Sequence, residues 1–492
     1  MERDVLQRLS RALGSGAALH VVGGWVRDRC LEDREAPAGL VPKGAVRPSR
    51  EGDLDLATAL LPKEVMARAR AAGLKAVPTG LPHGTVTVIL EGRPVEITTF
   101  RGEGEYLDGR RPSSVTLGVD LEQDLARRDF TVNALALPLE AVGDPAWRGR
   151  LVDPFGGLDD LERRLIRAVG DPLARFAEDG LRPLRACRFA SQLGFDVDAP
   201  TLAAIPPRLE VCAKVALERV FTELTKLICS RNRQAARGLR MLESTGLLDL
   251  WMPELRPMVG CAQNRHHRFD VWEHTLKAME LVPYETPAAA WGLLLHDAGK
   301  PPTRSLGEEG EVHFYDHEAV SEHLAESLLR RLRAPNRLRE KALSYIRLHG
   351  VHPGVDWTDA AYRRLLKRIV DAGLEPESWE RFQLADRWGK GWFEVGHPDG
   401  RSGEAWWQDT QAFWSQARQR LEAVRFPGMT PRELALDGNA LMVLAGRPGG
   451  PWLGELQAWL LEQIIEDPGI NTAEGLRRRC EAYFARVDRT PN

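Results

Sequence analysis

Paired cysteines are missing from this sequence. Its six cysteines (Cys30, Cys187, Cys212, Cys229, Cys261 and Cys480) are scattered without a CxxC pair, so neither a zinc ribbon nor a disulfide framework is indicated and a reducing cytoplasm is the expected home. No apolar run approaches the length of a membrane span, and no membrane partner is expected. The segment MERDVLQRLSRAL has the charged, amphipathic pattern of a helix rather than that of a signal peptide. A strong net charge is also lacking, since 67 basic and 70 acidic residues give -3. That balance neither demands nor excludes a nucleic acid, which a local basic patch can hold. Repeats of fixed period and low-complexity tracts are absent as well.

What is there begins with LHVVGGWVRD. His20–Val22 reads as a strand, Gly23-Gly24 as a tight turn and Trp25–Leu31 as the start of a helix. A phosphate suits such a place, because glycines admit close backbone approach and a helix start offers free N–H groups. Asp53 and Asp55 follow, two apart in an expected strand, so both carboxylates point to one face. Further strand candidates are Leu54–Ala57, Val86–Leu90, Val95–Phe100 and Thr131–Leu137, with a helix near Pro62–Ala72, an α/β or α+β pattern. A Pro/Gly/Arg-rich stretch between Asp28 and Asp53 and a polar stretch, Arg101–Val115, read as loops.

From Asp153 onward helical periodicity takes over. Asp171-Pro172 and Gly194 bracket one expected helix as cap and stop. Histidine then clusters, with nine of the twelve between His266 and His352, which marks a separate unit. Within it stand His274, the adjacent pair His296-Asp297 after the apolar helix Ala288–Leu295, His317, His349 and Asp386.

Two-metal phosphoryl transfer needs carboxylates that hold two cations about 3.5–4 Å apart. Asp53 and Asp55 supply two such groups. In GRPVEITTFR, Val95, Ile97 and Thr99 alternate with Glu96, so Glu96 faces away from the apolar side as a candidate third acid; a solvent-facing strand glutamate is the plainer explanation.

GGWVRD, DLDLAT, VEITTFR, RRDFTVNALAL and DPFGGLDDLERRLIRAVGDP occur in the order found in bacterial class II tRNA nucleotidyltransferases, the CCA-adding enzymes and related poly(A) polymerases, and the chain resembles that family over most of residues 18–235. The resemblance implies an α+β fold: a polymerase-β-like nucleotidyltransferase head of mixed sheet and helices, then all-α neck, body and tail domains. It places the head at residues 1–150, the neck at 151–254, the histidine-rich body at 255–395 and the tail at 396–492. Asp53 and Asp55 match the Mg²⁺-binding aspartates; Gly23, Gly24 and Arg27 match the triphosphate contacts; Arg127, Arg128 and Asp129 border the active site. EDGLRPLRACRF resembles the nucleotide-selecting EDxxRxxR helix, which carries nucleotide binding onto Asp179, Arg182, Arg185 and Arg188.

Asp179 and Arg182 are three apart, so an i,i+3 surface salt bridge would account for them. The chemical reading rests on donor and acceptor counts. Cytosine and adenine both offer an amino donor beside a ring-nitrogen acceptor, and a carboxylate only accepts while a guanidinium only donates. The pair would therefore take C and A without a template. Gly180 and Pro183 depart from the family's pattern, and Pro183 predicts a kinked helix. LERVFTELTKLI, with Glu218 and Arg219, resembles the neck motif and is assigned structural work.

The histidine-rich unit resembles the HD phosphohydrolase domain. Its ligands would map to His274, His296, Asp297 and Asp386, holding a divalent metal such as Mg²⁺, Mn²⁺ or Ni²⁺ whose bound water is the nucleophile. The segment LALDGNALMVLAGRPGGPWLGELQAWLLEQIIED resembles the family's tail. The expectation is thus a cytoplasmic enzyme, monomer or homodimer, that adds C and A to the tRNA 3′ end from CTP and ATP and carries phosphatase or 2′,3′-cyclic phosphodiesterase activity. The rivals are a poly(A) polymerase or a partial A-adding or CC-adding enzyme, and an HD metal phosphohydrolase with an RNA-binding head.

Overall fold

The computed structural model describes residues 3–32, 54–103, 115–230, 234–264, 267–282, 286–354, 356–425 and 430–487. By its internal contacts the chain forms two compact units: Met1–Cys261 with Tyr284–Trp291 and Leu324–Pro335, and Ala262–Pro283 with Gly292–His323 and Asn336–Asn492. A mixed α+β head opens the first unit, and the chain downstream of it is mostly helical.

The head's strands are β1 (His20–Val22), β2 (Asp55–Thr58), β3 (Lys75–Gly80), β4 (Thr85–Leu90), β5 (Arg93–Thr99), β6 (Arg101–Glu103), β7 (Val115–Leu117) and β8 (Ala136–Pro138). Six form one sheet in the order β3-β4-β5-β2-β1-β8, and β6 pairs with β7 as a separate hairpin. Only the β2–β5 pairing is parallel within that sheet; its other pairings are antiparallel. The strands hold because alternate residues reach a closed core: Val86, Val88, Val95 and Ile97 are fully buried, and Leu56 is nearly so. The helix Pro62–Ala71 packs Val65 and Ala69 inward, and its Leu61 N–H finds Glu64 Oε2 at 2.9 Å.

Three expectations change here. Thr131–Leu137 is not one strand: Thr131–Asn133 is a 3₁₀ turn, and pairing begins only at Ala136, where the backbone meets Val22. The stretch expected as the loop Arg101–Val115 has strands at both ends, with residues 104–114 outside the described part. Edge strand β3, with Pro78 inside it, was not expected; an edge tolerates a proline, and the register shifts between Val77 and Gly80.

Downstream, Asp171 caps the helix Pro172–Glu178 by accepting the Ala174 N–H, and Gly194 stops the helix Arg182–Leu193 at φ +68°. The expected single helix between them is in fact two, because the backbone is extended at Asp179. Pro183 then falls in the first turn of the second helix, where its missing N–H costs nothing. The helices Leu217–Ile228 and Ala235–Ser244 complete this layer, with Leu224, Leu227 and Leu239 fully buried.

The second unit is a helical body with one small hairpin, Arg304–Leu306 against Val312–Phe314. Trp379 and Trp414, both buried, meet edge to face at 5.3 Å in its core. The helices Gly438–Ala445, Pro451–Glu466 and Ala473–Val487 share a leucine-rich cluster around Leu441, Leu456 and Leu460. Among the described residues, no helix is long and apolar enough to cross a membrane.

Candidate active sites

Strand β1 delivers the chain to Gly23, whose φ of +73° lies in the left-handed region open to glycine. A Cβ there would sit 3.0 Å from Arg128 Nη1, so the glycine also makes room for that guanidinium. The helix Gly24–Glu32 starts at once, and the Arg27 N–H donates to the Gly23 carbonyl at 3.2 Å. Burial pushes Arg128 down, and Asp124 chiefly, then Asp129 and Asp55, work against it. An anion bound at this turn would further satisfy a half-buried cation. Arg27, which is buried, donates from Nη1 to Asn133 Oδ1 at 2.8 Å and from Nε to Asp28 Oδ1 at 2.7 Å.

Asp55, the first residue of β2, is the direct register partner of Glu96 on β5. Both are exposed, whereas the next residues, Leu56 and Ile97, are buried; the two side chains therefore leave the same face of neighbouring strands, whose backbones run about 4.8 Å apart. Hard oxygen donors so placed suit Mg²⁺. Asp53 lies outside the described residues.

A network of arginines joins the head to the helix Arg182–Leu193. Asp129 accepts from the Phe130 N–H at 2.9 Å, from Asn133 Nδ2 at 3.1 Å and from Arg185 Nε at 2.8 Å. Burial alone would raise its carboxyl; Arg185 and Asn133 outweigh burial and hold it at about 2. Arg188 Nε lies 2.5 Å from Glu223 Oε2, and burial pushes that arginine down to about 10. The Phe189 ring underlies three guanidinium groups, Arg27 and Arg185 at 5.2 Å and Arg188 at 3.7 Å.

The plainer alternative, a salt bridge between Asp179 and Arg182, is not what forms: each side chain has separate partners. Asp179 Oδ2 accepts from Arg219 Nη2 at 3.0 Å, and its Oδ1 from the Leu181 N–H at 3.0 Å. Arg182 pairs with Glu178 and donates to the carbonyls of Arg175 at 2.8 Å and Arg127 at 2.9 Å. The extended backbone at Asp179 is the reason: it takes the two side chains off a common helical face. Gly180 is required there, since a Cβ would fall 2.4 Å from the Val211 carbonyl oxygen. Arg219, expected to be only structural, thus holds the acidic member of the pair.

In the second unit the four mapped ligands converge. His274 Nε2 lies 3.1 Å from Asp386 Oδ1, 3.3 Å from Asp297 Oδ2 and 3.4 Å from His296 Nε2, and His296 Nε2 lies 3.1 Å from Asp297 Oδ2. His274 sits on the helix Val271–Ala278, His296-Asp297 on the turn after Leu295, and Asp386 on the helix Pro376–Gly389. Gly389 allows the last helix this close, because a Cβ there would lie 2.7 Å from the His274 carbonyl oxygen. Burial lowers the His274 ring. At His296 burial acts the same way, but Asp297 and Asp386 outweigh it and hold the ring at about 10. The carboxylates demand positive charge between them, and a divalent cation would meet that demand.

A model of the poly A polymerase head domain matches residues 19–167, and a model described as the probable RNA and SrmB-binding site of polymerase A matches residues 194–258. The CCA-adding enzyme of Geobacillus sp. (strain WCH70) is 32% identical over 457 residues, covering 92% of this chain and 89% of its own. The chain belongs to the CCA-adding enzyme family. Another member, from Geobacillus thermodenitrificans (strain NG80-2), is 32% identical over 99% of this chain and 96% of its own. The fold agrees: the Bacillus stearothermophilus CCA-adding enzyme, solved in complex with CTP, matches at a TM-score of 0.67 and 27% identity, with 99% of this chain and 98% of that one covered.

Several residues of this CCA-adding family member were not singled out by sequence reasoning. Asn133 bonds both Arg27 and Asp129, and Glu223 is a buried counterion for Arg185 and Arg188. Both lie inside matched motifs, RRDFTVNALAL and LERVFTELTKLI, whose pattern does not give their partners. Phe189 stood inside a quoted motif, and its i+4 spacing from Arg185 was the available clue.

Proposed function

We propose that this chain adds C and A to the 3′ end of tRNA, without a template, from CTP and ATP. The register pairing of Asp55 with Glu96, beside the Gly23–Arg128 turn, is the observation that carries the reading. The 3′-hydroxyl oxygen forms a bond to the α-phosphorus, the bond to pyrophosphate breaks, and the hydroxyl proton passes to Glu96 or to water. Asp53 and Asp55 would hold Mg²⁺, which when bound favours deprotonation of the hydroxyl and neutralises the triphosphate. Gly23, Gly24, Arg27 and Arg128 receive the triphosphate; Asp129, Asp179, Arg182, Arg185 and Arg188 form the base-selecting side. Three of the five Arg182 N–H groups are engaged, which leaves donors for a base, and the Asp179 carboxylate keeps acceptor capacity.

The test supplies tRNAs ending before CCA, after C and after CC, with CTP and ATP separately. The expected result is C on the first two, A on the third, and none with Asp55→Ala. Extension undiminished by Asp55→Ala overturns the reading. Addition of A alone, of CC alone or of long A tracts would assign the narrower activities instead.

The convergence of His274, His296, Asp297 and Asp386 supports a second reading, a metal-dependent phosphohydrolase acting on terminal or 2′,3′-cyclic phosphates. A cleft of about 360 Å³ is lined by Asp297 and Asp386 of this group and by Lys300, Arg387 and Lys390, cations suited to a phosphate. An unchanged cyclic phosphodiesterase rate in His296→Ala would remove this reading.

A further inference from the structure

We propose that the tryptophan-rich face of the second unit binds a nucleotide, with its base stacked on Trp392, His397 and Trp406 and its phosphate held by Arg387 and Lys390. The site is independent of both activities described above. It occupies a second cleft, which meets the 360 Å³ cleft at the wall carrying Arg387 and Lys390.

The short stretch 392–414 brings Trp392, His397, Trp406, Phe413 and Trp414 to one cleft of about 320 Å³, a volume found among small-molecule sites. Trp414 is buried and belongs to the core, where it meets Trp379 and Phe413 edge to face. Trp392 and His397 are only half-buried. The His397 and Trp406 rings lie within 8° of parallel with centroids 6.0 Å apart, and Trp392 meets His397 edge-on at 5.9 Å. Flat rings so arrayed give a base a face to stack on, whatever hydrogen-bonding edge it carries.

The His397 ring is fixed in advance. The His397 backbone N–H donates to the Arg401 carbonyl at 2.9 Å, and the His397 carbonyl accepts the Gly400 N–H at 3.0 Å. This closes a turn in which Gly396 and Gly400 take φ of +88° and +93°. His397 Nδ1 lies 2.9 Å from Asp399 Oδ1. Arg401 donates from Nε to Asp399 Oδ2 at 2.8 Å and from Nη1 to Asp409 Oδ2 at 2.8 Å, and Asp409 stands on the helix Gly403–Ala423 that carries Trp406. The turn is thus tied to that helix, so the two rings are held parallel and the ordering cost of binding falls.

The cations of the cleft are not alike. Arg401 is neutralised by its two aspartates, whereas the side chains of Arg387 and Lys390 make no hydrogen bond or ion pair among the described residues. Burial, then the Arg387 charge, push the Lys390 ammonium down to about 8. Two half-buried cations set close together call for an anion. The same charges repel a cationic guest, the other class of ligand that aromatic clusters accept. A flat ring system bearing a negative group meets both demands, and a nucleotide carries both: base to the rings, phosphate to Arg387 and Lys390.

The experiment irradiates the full chain with a photoreactive azido analogue of AMP and maps the adducts by mass spectrometry. Adducts are expected within residues 387–414 and should be suppressed by excess AMP. In Trp392→Ala they should fall roughly tenfold, the weight of one lost base–aromatic stack. Lys390→Gln should lower labelling by the AMP analogue but not by the matching azidoadenosine, which lacks the phosphate. Thermal melts check the folding of both variants. Suppression by AMP at lower concentration than by a short oligoribonucleotide assigns the site to free nucleotides, and the reverse order assigns it to a nucleotide within RNA. Adducts confined to the first unit, or labelling of 387–414 unchanged in the folded variants, overturn the proposal. Equal suppression by inorganic phosphate, which carries no base, overturns it too.

Discussion

Arg185 grips the Asp129 carboxylate through two nitrogens, Nε at 2.8 Å and Nη2 at 2.7 Å, across 56 residues of sequence. Asp129 belongs to the head and Arg185 to the helix Arg182–Leu193, so this pair ties the head to that helix. Removing one partner leaves a nearly buried charge uncompensated. Arg185→Met should therefore destabilise the first unit by about 3 kcal/mol, and Asp129→Asn with Arg185→Met should recover part of that loss. Melts of both variants decide it; single and double variants equal to wild type would refute a stabilising pair.

The same pair predicts an acid limb. Asp129 is held at about 2, below the ordinary aspartate value of 3.8, so its contribution is complete above that ordinary value and disappears as pH falls through about 2. The shift corresponds to about 2 kcal/mol. The stability gap between wild type and Asp129→Asn, followed by denaturant unfolding, should stay constant above about pH 5 and narrow toward pH 2. A gap that widens on acidification would reverse the assigned sign.

Gly180→Ala places a methyl group 2.4 Å from the Val211 carbonyl oxygen, where backbone rather than a flexible side chain must yield. The displaced segment carries Asp179 away from Arg219. Expected consequences are a lower melting temperature and a loss of discrimination between CTP and UTP of roughly tenfold or more, equivalent to about 1.4 kcal/mol. Unchanged discrimination would separate Asp179 from base choice.

Glu96 and Asp55 are register partners with unequal expected roles. Asp55→Ala should abolish extension, whereas Glu96→Gln should lower kcat by about 10²-fold with little change in KM, the signature of lost proton transfer rather than lost binding. Equal kcat in Glu96→Gln and wild type would make Glu96 an ordinary solvent-facing strand residue.

Local pattern carried the sequence reading a long way. The alternation of Val95, Glu96 and Ile97 placed Glu96 on the open face, and the Asp171 cap and Gly194 stop were readable from residue type alone. Failures came where distant backbone decided. Gly180 and Pro183 suggested a bent helix, but the packing of Val211 against Gly180 accompanies a full break. Strand β3 stayed hidden because Pro78 and Gly80 interrupt its alternation. Glu223 and Asn133 could not be assigned partners, since nothing in their neighbourhood encodes a contact with residues far along the chain. His317 and His349 were legible as candidates, yet their approach to Asp297 Oδ1 shows only in the folded chain.

The bond from Arg182 to the Arg127 carbonyl has a mechanical consequence. Arg182 is buried, so the first turn of its helix cannot slide against the Arg127–Asp129 segment without stranding a guanidinium. One guanidinium thus pins the two segments together, so a shift of either costs that bond unless the other follows.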